Sequence, residues 1–493
     1  MSTYVLCALS RNDRRLTRCD VDQVISIDIL PDDVLLEIFH FYVDQAWYED
    51  DGADIKEAME VWQLLVHVCR RWRCVVFGSP RRLDLRLFCT ANTPTRDTVD
   101  VWPALPLAIE DHDSRTGSLI NIIALLERSD LVRRITQITL LGLSSSQLED
   151  VSELMQVPFP ELTDLSLFHD DEAAPALPLS DSFLGGSAPR LQYLELEGIP
   201  FPGLPMLFLS ATHLTELHLR RIPHSGYISP EAMTACISTL TSLEWLSLGF
   251  RSSQPRPDQE TQRLPPSIRT SLPVLDRFMF NGGGEYLEYL VARIDAPRLR
   301  GVDITLFNDI VFVTPQFTRF IGRSPILEAF DEARVTLTDS TASITLSSYA
   351  TLDPLLKVGI FCRELDWQLS FLEQVCTSSL PPLSTLEVLY MEGRPWPQDW
   401  KDIIDYAQWL ELFHSFTAVK DLYLSKELAP CVVAALEELV GGRTTEVFPN
   451  LQNIFVEELQ ESGPVQEDIE KFVAARQVPS HRITISHWDR DSN

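Results

Sequence analysis

The chain has 493 residues, 45% of them apolar, with 41 Lys and Arg against 71 Asp and Glu, giving a formal charge of −30 and a pI near 4.7. That length predicts two or more ordinary domains or one repeat array. A surface so negative excludes a nucleic-acid backbone or an anionic membrane as the main ligand, and favours basic partners. The nine cysteines form neither a Cys-x-x-Cys pair nor a Cys/His finger. They predict no metal site, and reduced, mostly buried thiols point to cytosol or nucleus. The apolar run Tyr4 to Leu9 precedes Arg11, Arg14, Arg15 and Arg18, the wrong order for a secretory signal, and no run reaches the length of a membrane span.

Residues 1–27 carry mixed charge and no period, and read as a flexible lead. From Ile29 to Tyr42 the sequence is ILPDDVLLEIFHFY. Pro31 fits a first helical turn, and Asp32 and Asp33 suit a helix N-terminus. Val34, Leu35, Ile38, Phe39 and Tyr42 recur at helical spacing and share an apolar face. From Val61 to Pro80 the sequence is VWQLLVHVCRRWRCVVFGSP. Trp62, Leu65, Cys69, Trp72 and Val76 step by threes and fours, predicting one amphipathic helix that Gly78 and Pro80 stop. Residues 44–60 between them are an acidic insert and read as a solvated loop. Arg70, Arg71, Arg73, Arg81, Arg82 and Arg86 form a basic cluster opposed nearby only by Asp84. It fits either a solvated face or steering toward an acidic partner. Leu83 to Leu87 alternate and predict a strand.

The order Leu30-Pro31-Asp32-Asp33, then Leu-Leu-Glu-Ile-Phe at 35–39, Cys-Arg-Arg-Trp-Arg at 69–73, Ser79-Pro80 and Leu83-Asp84-Leu85 resembles an F-box over Ile29 to about Leu87. The resemblance implies docking to a Skp-type adaptor of a cullin–RING ubiquitin ligase. It assigns the adaptor face to Leu30, Pro31, Val34, Leu35, Ile38 and Phe39 with Leu65, Val68, Cys69, Trp72 and Val76. The insert exceeds the connection of a compact F-box and is similar to interrupted F-boxes of large fungal families.

Ala91 to Val99 reads as a loop, and Trp102 to Ile109, with two prolines, as an irregular or edge segment. The phrase Leu-x-x-Leu-x-Leu or a close variant then begins at Ile135, Leu162, Leu191, Leu214 and Leu243. Weaker copies begin at Leu275, Leu299, Leu327, Leu386, Val419 and Leu451. Successive starts as far as Leu327 lie 23 to 32 residues apart, at or slightly beyond a leucine-rich-repeat period of roughly 20–29 residues. Each phrase predicts a strand with inward leucines. PEAMTACISTL, EYLEYLVARI and TPQFTRFIG predict returning helices. Pro160, Pro189, Pro273, Pro297, Pro325 and Pro449 lie within three residues of a strand start, where they end a helix. The segment FLGGSAPRLQYLEL at Phe183 resembles repeats of fungal F-box families. Pro255 to Pro266 reads as a polar loop, and residues 331–385 break the period. A helix at Val465 to Ala475 and a strand at Ile483 to Ile485 would cap the open edge.

The expected fold is α/β: an N-terminal F-box-like helical hairpin at 28–90, a connecting segment and first repeat cap at 91–134, and an irregular leucine-rich-repeat solenoid at 135–493. Its parallel sheet would line a concave face. Tyr193, Glu195, Glu197, Glu216, His218, Arg220, Trp245, Tyr390, Tyr423 and Phe455 occupy non-leucine positions, so they should project from that face. Aromatic and charged side chains on a rigid surface suit partner recognition. An acid–base pair among the three glutamates has no supporting motif. His213, His218 and His224 are explained by repeat positions. Asn281 to Gly284 is a turn without a phosphate-loop signature. The reading is a substrate-recognition subunit of an SCF-type cullin–RING E3 ubiquitin ligase. Its expected partners are a Skp-type adaptor and an unidentified protein substrate, with no nucleic acid, membrane, metal or cofactor and no covalent chemistry of its own. The alternative is a non-degradative repeat scaffold.

Overall fold

The computed structural model describes residues 27–45, 61–80, 82–92, 99–111, 119–170, 178–200, 204–252, 269–307, 314–328, 330–349, 355–381, 383–394, 406–439, 446–459, 463–476 and 483–490. The expected lead, nearly all of the acidic insert, most of the Ala91–Val99 loop and the loop at Pro255 to Pro266 lie outside the described residues. The chain divides into two units, Met1–Phe88 and Cys89–Asn493.

In the first unit, α1 (Asp32–Gln45) opens on Asp32 and Asp33, whose charge suits the positive end of the helix. The second apolar stretch is two helices, not one. α2 (Val61–Val68) and α3 (Arg70–Gly78) are separated by Cys69, which is extended at φ −158° and ψ 169°. Its Sγ accepts a hydrogen bond from Trp72 N at 3.5 Å and caps α3. Spacing alone hid this break because Trp72 and Val76 still face inward beyond it. The Phe39 and Trp72 rings meet at 4.6 Å between centroids, and Leu35, Leu65 and Val76 are buried. The strand expected at Leu83 to Leu87 is instead a turn in which Asp84 adopts φ 47°, a left-handed conformation that Asp tolerates. Only β1 (Leu87–Cys89), at the boundary between the units, is extended.

Three arginines of the basic cluster are matched by carboxylates of their own unit. Arg71 lies 2.7 Å from Asp32, Arg82 pairs with Glu37, and Arg86 lies 3.0 Å from Asp84. Arg73 Nε donates to Val66 O. Solvent-facing pairs stabilise by only about 0–1 kcal/mol each, but the three carboxylates reduce the positive field that would steer an acidic partner. Arg81 lies outside the described residues.

Sixteen strands form one sheet. After β1 come β2 (Leu107–Asp111), β3 (Ile135–Leu143), β4 (Asp164–His169), β5 (Tyr193–Glu197), β6 (Glu216–Ile222) and β7 (Trp245–Phe250). β8 (Thr270–Ser271) pairs apart with β10 (Ile294–Asp295). The main sheet continues through β9 (Arg277–Gly282), β11 (Gly301–Phe307), β12 (Glu332–Leu337), β13 (Thr341–Ser347), β14 (Leu356–Phe361), β15 (Val388–Gly393), β16 (Asp421–Leu424), β17 (Asn453–Glu457) and β18 (Thr484–Trp488). Its order is β1-β2-β3-β4-β5-β6-β7-β9-β11-β14-β13-β12-β15-β16-β17-β18. This is a long, mostly parallel α/β sheet of leucine-rich-repeat type. Leu165, Leu167, Leu194, Leu196, Leu217, Leu219, Leu246 and Leu248 are all at most 2% exposed. Period-two alternation sends the intervening residues to the opposite, open face. The turns entering the strands are themselves in register: Gln192 N donates to Thr163 O, Thr215 N to Gln192 O, Glu244 N to Thr215 O and Asp276 N to Glu244 O, each at 2.8 Å.

Two of the returning helices carry a side-chain N-cap, from Ser144 and Ser229. α4 (Ile120–Leu126) and α5 (Ser129–Val132) precede β3. α6 (Ser145–Leu154) has a reciprocal cap between Ser144 and Gln147. α7 (Leu204–Ser210) follows β5. α8 (Pro230–Ile237) is capped by Ser229 and has Pro230 in its first turn. α9 (Gly284–Val291) follows β9 with only the extended Gly283 between them, so the turn expected at Asn281 to Gly284 is instead a strand end running into a helix start. α10 (Pro315–Ile321), α11 (Leu365–Ser378), α12 (Tyr406–Phe413), α13 (Ala429–Glu437) and α14 (Pro464–Ala475) complete the layer, and sequence neighbours pack on one another along most of it.

Two expectations need correcting. The sheet begins before Ile135: β2 falls in the segment read as irregular, is wholly buried and runs parallel to β3. Pro103 and Pro106 precede the strand and take no donor from it. The copy at Leu327 is not a strand either, since Leu327 lies in a tight turn, Pro325–Glu328, and β12 starts at Glu332. Here the chain leaves β11, skips two strand positions, lays down β12, and turns back through antiparallel β13 and β14 to fill the gap beside β11. β15 then resumes parallel pairing on β12. A period count registers only parallel units and loses this excursion.

Gly198, after β5, has φ +71°, and a Cβ there would lie 2.6 Å from His169 O. Both strain and overlap oppose a side chain. Gly198→Ala should therefore lower unfolding free energy by about 1–3 kcal/mol, read as a shifted urea midpoint. An unchanged midpoint would contradict this packing.

Candidate functional site

Strand register assembles the polar positions of the open face into rows. One row runs Ser166, Glu195, His218, Ser247, Met279, Asp303 and Lys357 from β4 to β14. It continues through Thr345, Arg334, Tyr390, Tyr423, Phe455 and Ser486 to β18. Two clusters stand on this face.

The first lies on β5, β6 and β7. Tyr193 Oη donates to Glu195 Oε2 at 2.6 Å. Arg220 Nη1 lies 2.8 Å from Glu195 Oε1, an ion pair without hydrogen-bond alignment. His218 Nε2 is 3.1 Å from Glu216 Oε2. The His218 ring sits between Tyr193 at 5.3 Å and Trp245 at 5.0 Å, and Arg277 lies over the Trp245 ring at 5.1 Å. Glu195 and His218 are buried, at 6% and 2% exposure. They do not project freely, as repeat position alone suggested. Glu197 is half-buried at the β5 end and lies 3.3 Å from Arg221. Oxygens of the three glutamates thus lie against Tyr193, Arg220, His218 and Arg221. Burial pushes the Tyr193 phenol well above its usual range, and the bond to Glu195 adds to this. Burial lowers the His218 imidazole from its ordinary 6.5, and the bond to Glu216 opposes that shift.

The second cluster lies on β12 and β15 to β18. Tyr390, Tyr423 and Phe455 stack at 4.5 and 4.4 Å on three successive strands. Arg334 covers the Tyr390 ring at 4.5 Å. Trp488 reaches back to Tyr423 at 5.4 Å and Tyr390 at 5.8 Å. Glu392, 5% exposed, pairs through Oε1 with Arg334 and through Oε2 with Arg490 at 2.7 Å. Burial, then Glu332, pushes the Tyr390 phenol up to about 12.

The ten open-face residues read from sequence thus fall into two groups, seven on β5 to β7 and three on β15 to β17. Sequence reading missed Arg277, Arg334, Glu392, Trp488 and Arg490. Arg334 sits in the stretch where the period breaks, and Trp488 and Arg490 follow a strand read only as a cap. His213 and His224 do not join His218; His224 Nε2 instead meets Ser252 Oγ at 2.8 Å. Among the described residues no group of three or more His, Cys, Asp or Glu could hold a metal ion, and no helix is long and apolar enough to cross a membrane.

No protein-family model matches this chain, and no curated protein matches it. Among solved structures, the chain is similar to the leucine-rich-repeat-containing protein LegL7 from Legionella pneumophila. The two are 13% identical, the match covers 80% of this chain and 99% of that one, and the TM-score is 0.28. At that level the fold rests on the strands and helices described above.

The folded state favours neutral His218. Its contribution to stability is complete above about pH 6.5 and is lost as pH falls below that value. Between about pH 7.5 and pH 5.5 the thermal midpoint should fall more steeply for wild-type protein than for His218→Gln. Equal slopes would show that the buried ring carries no such linkage.

Proposed function

We propose that the chain is an adaptor-docked protein receptor, in which the first unit engages a Skp-type adaptor of a cullin–RING ligase and the open face of the sheet holds the protein to be modified. The observation that carries the reading is an apolar surface left uncovered on helices whose sequence resembles an F-box. Val34, Ile38, Phe41 and Tyr42 on α1 are 41–70% exposed, and Leu64 and Val68 on α2 are 61% and 57% exposed. Val34, Ile38 and Phe41 are spaced to share one face of α1, and exposed apolar surface of this kind marks interaction sites.

The adaptor face drawn from sequence needs revision. Leu35, Phe39, Leu65, Trp72 and Val76 are at most 7% exposed and serve the interior of the unit. Leu30 and Cys69 are half-buried. Pro31, Val34, Ile38 and Val68 remain at the surface, joined by Phe41, Tyr42 and Leu64. Substrate lysines would be modified by the ligase bound elsewhere, and this chain would supply affinity alone. The partly matched basic cluster favours a second reading, a non-degradative scaffold, because steering toward an acidic adaptor is weakened.

A pull-down with purified Skp-type adaptor tests the reading. Val34→Glu with Ile38→Glu should reduce binding at least about 100-fold, since a charge buried at an apolar interface costs several kcal/mol, while the unfolding midpoint stays near wild type. Leu35→Asp should unfold the first unit instead. Adaptor binding unaffected by the double substitution overturns this docking face, and binding absent in wild-type protein selects the scaffold.

A further inference from the structure

The second cluster on the open face is already occupied, and the occupant comes from this chain. β18 is the edge strand, held to β17 by pairings that include Glu457 with Trp488. Yet the Trp488 ring crosses β17 to lie against Tyr423 on β16 and Tyr390 on β15. Arg490, two residues on, reaches Glu392 on β15, 98 residues away in sequence. These contacts add to what strand pairing requires, and they match the chemistry of a peptide ligand: an aromatic ring on a ring stack and a guanidinium on a carboxylate.

The receptor side has the features of a built site. Glu392 is nearly inaccessible, and the protein body satisfies only its Oε1, through Arg334. Without Arg490 the second oxygen would lose its partner in a buried setting, which is strongly unfavourable. Arg334 also covers the far face of Tyr390, so the ring stack is closed at that end. Glu332 and Asp421 bear on the Tyr390 and Tyr423 phenols and keep the surroundings negative, as does the whole-chain charge of −30. An incoming cation is attracted and an incoming acid is repelled. The Arg490 side chain is 37% exposed, so the ion pair sits at a mouth open to exchange.

We infer that the Tyr390–Tyr423–Glu392 cluster is a docking site for a protein segment bearing an aromatic residue followed two positions later by arginine, and that Trp488 and Arg490 occupy it in cis until such a segment displaces them. This rests on the open face being the partner-binding surface and names the chemistry of what it takes. The Trp488 indole N–H has no hydrogen-bond partner among the described residues, so its displacement breaks no hydrogen bond there.

The probe is a fluorescein-labelled peptide Ser-His-Trp-Asp-Arg-Asp-Ser-Asn, the sequence from residue 486 to 493, titrated by anisotropy against full-length protein. Arg490→Ala should bind it about tenfold or more tightly than wild type, because the cis competitor loses its charged contact. Arg490→Lys keeps the charge and should stay near the wild-type affinity, which a general folding defect would not reproduce. Adding Glu392→Gln to Arg490→Ala should abolish the gain, as should replacing the peptide's Trp or Arg by Ala. Equal affinity of wild type and Arg490→Ala, or tight binding that survives Glu392→Gln, overturns the inference and leaves Trp488 and Arg490 as an edge cap. The titration contains no adaptor, so failure of adaptor docking and failure of this site are read separately.

Discussion

The structure depends on one constraint, the parallel register of successive strands. Each leucine phrase buries two side chains toward the helices only if its neighbour is aligned to the residue, since a one-residue slip would send the leucines to the open face. The register is fixed twice, by ladder hydrogen bonds within the strands and by the chain of 2.8 Å bonds linking the turns that enter them, from Thr163 through Gln192, Thr215 and Glu244 to Asp276. Everything on the open face inherits its position from that alignment. Tyr390, Tyr423 and Phe455 stack because they occupy the same step of three adjacent strands. Glu195 and His218 face each other for the same reason.

What was legible in the sequence follows from this. A parallel unit returns at a nearly constant interval, so the phrases at Leu162, Leu191, Leu214 and Leu243 located β4 to β7, whereas the prolines expected to end helices do not all do so: Pro273 and Pro297 follow the short strands β8 and β10. The antiparallel excursion β12–β13–β14 was illegible because a hairpin has no helix and no period. Alternation likewise gave a strand at Leu83 to Leu87, where Asp84 turned the chain. β2 was missed for the opposite reason: two prolines suggested an edge, but they stand outside the strand they introduce. In the first unit the helical spacing was right and the helix count was not, since a cap at Cys69 leaves the apolar phase intact.

Site residues were harder to read than the fold. Position on a strand tells which face a side chain takes, not whether it is free. Glu195 lies on the open face, yet it is braced by Tyr193 and Arg220. Glu392, Arg334 and Arg490 come from segments 58 and 98 residues apart, and nothing local to any of them signals the others. In the first unit the helical period marked an apolar face correctly, but on a small helical unit that face splits between interior and surface. Leu35 and Phe39 went inward, while Val34 and Ile38 stayed out. The first unit offers exposed apolar side chains on helices, and the second offers aromatic and charged side chains on a sheet.

Hydrogen–deuterium exchange on the full chain, with and without purified Skp-type adaptor, tests the central claim most directly. The account predicts added protection of backbone amides in Asp32–Gln45 and Val61–Val68, with the strands β4 to β18 unchanged. Protection confined to the sheet, or no change in either helix at saturating adaptor, would contradict it.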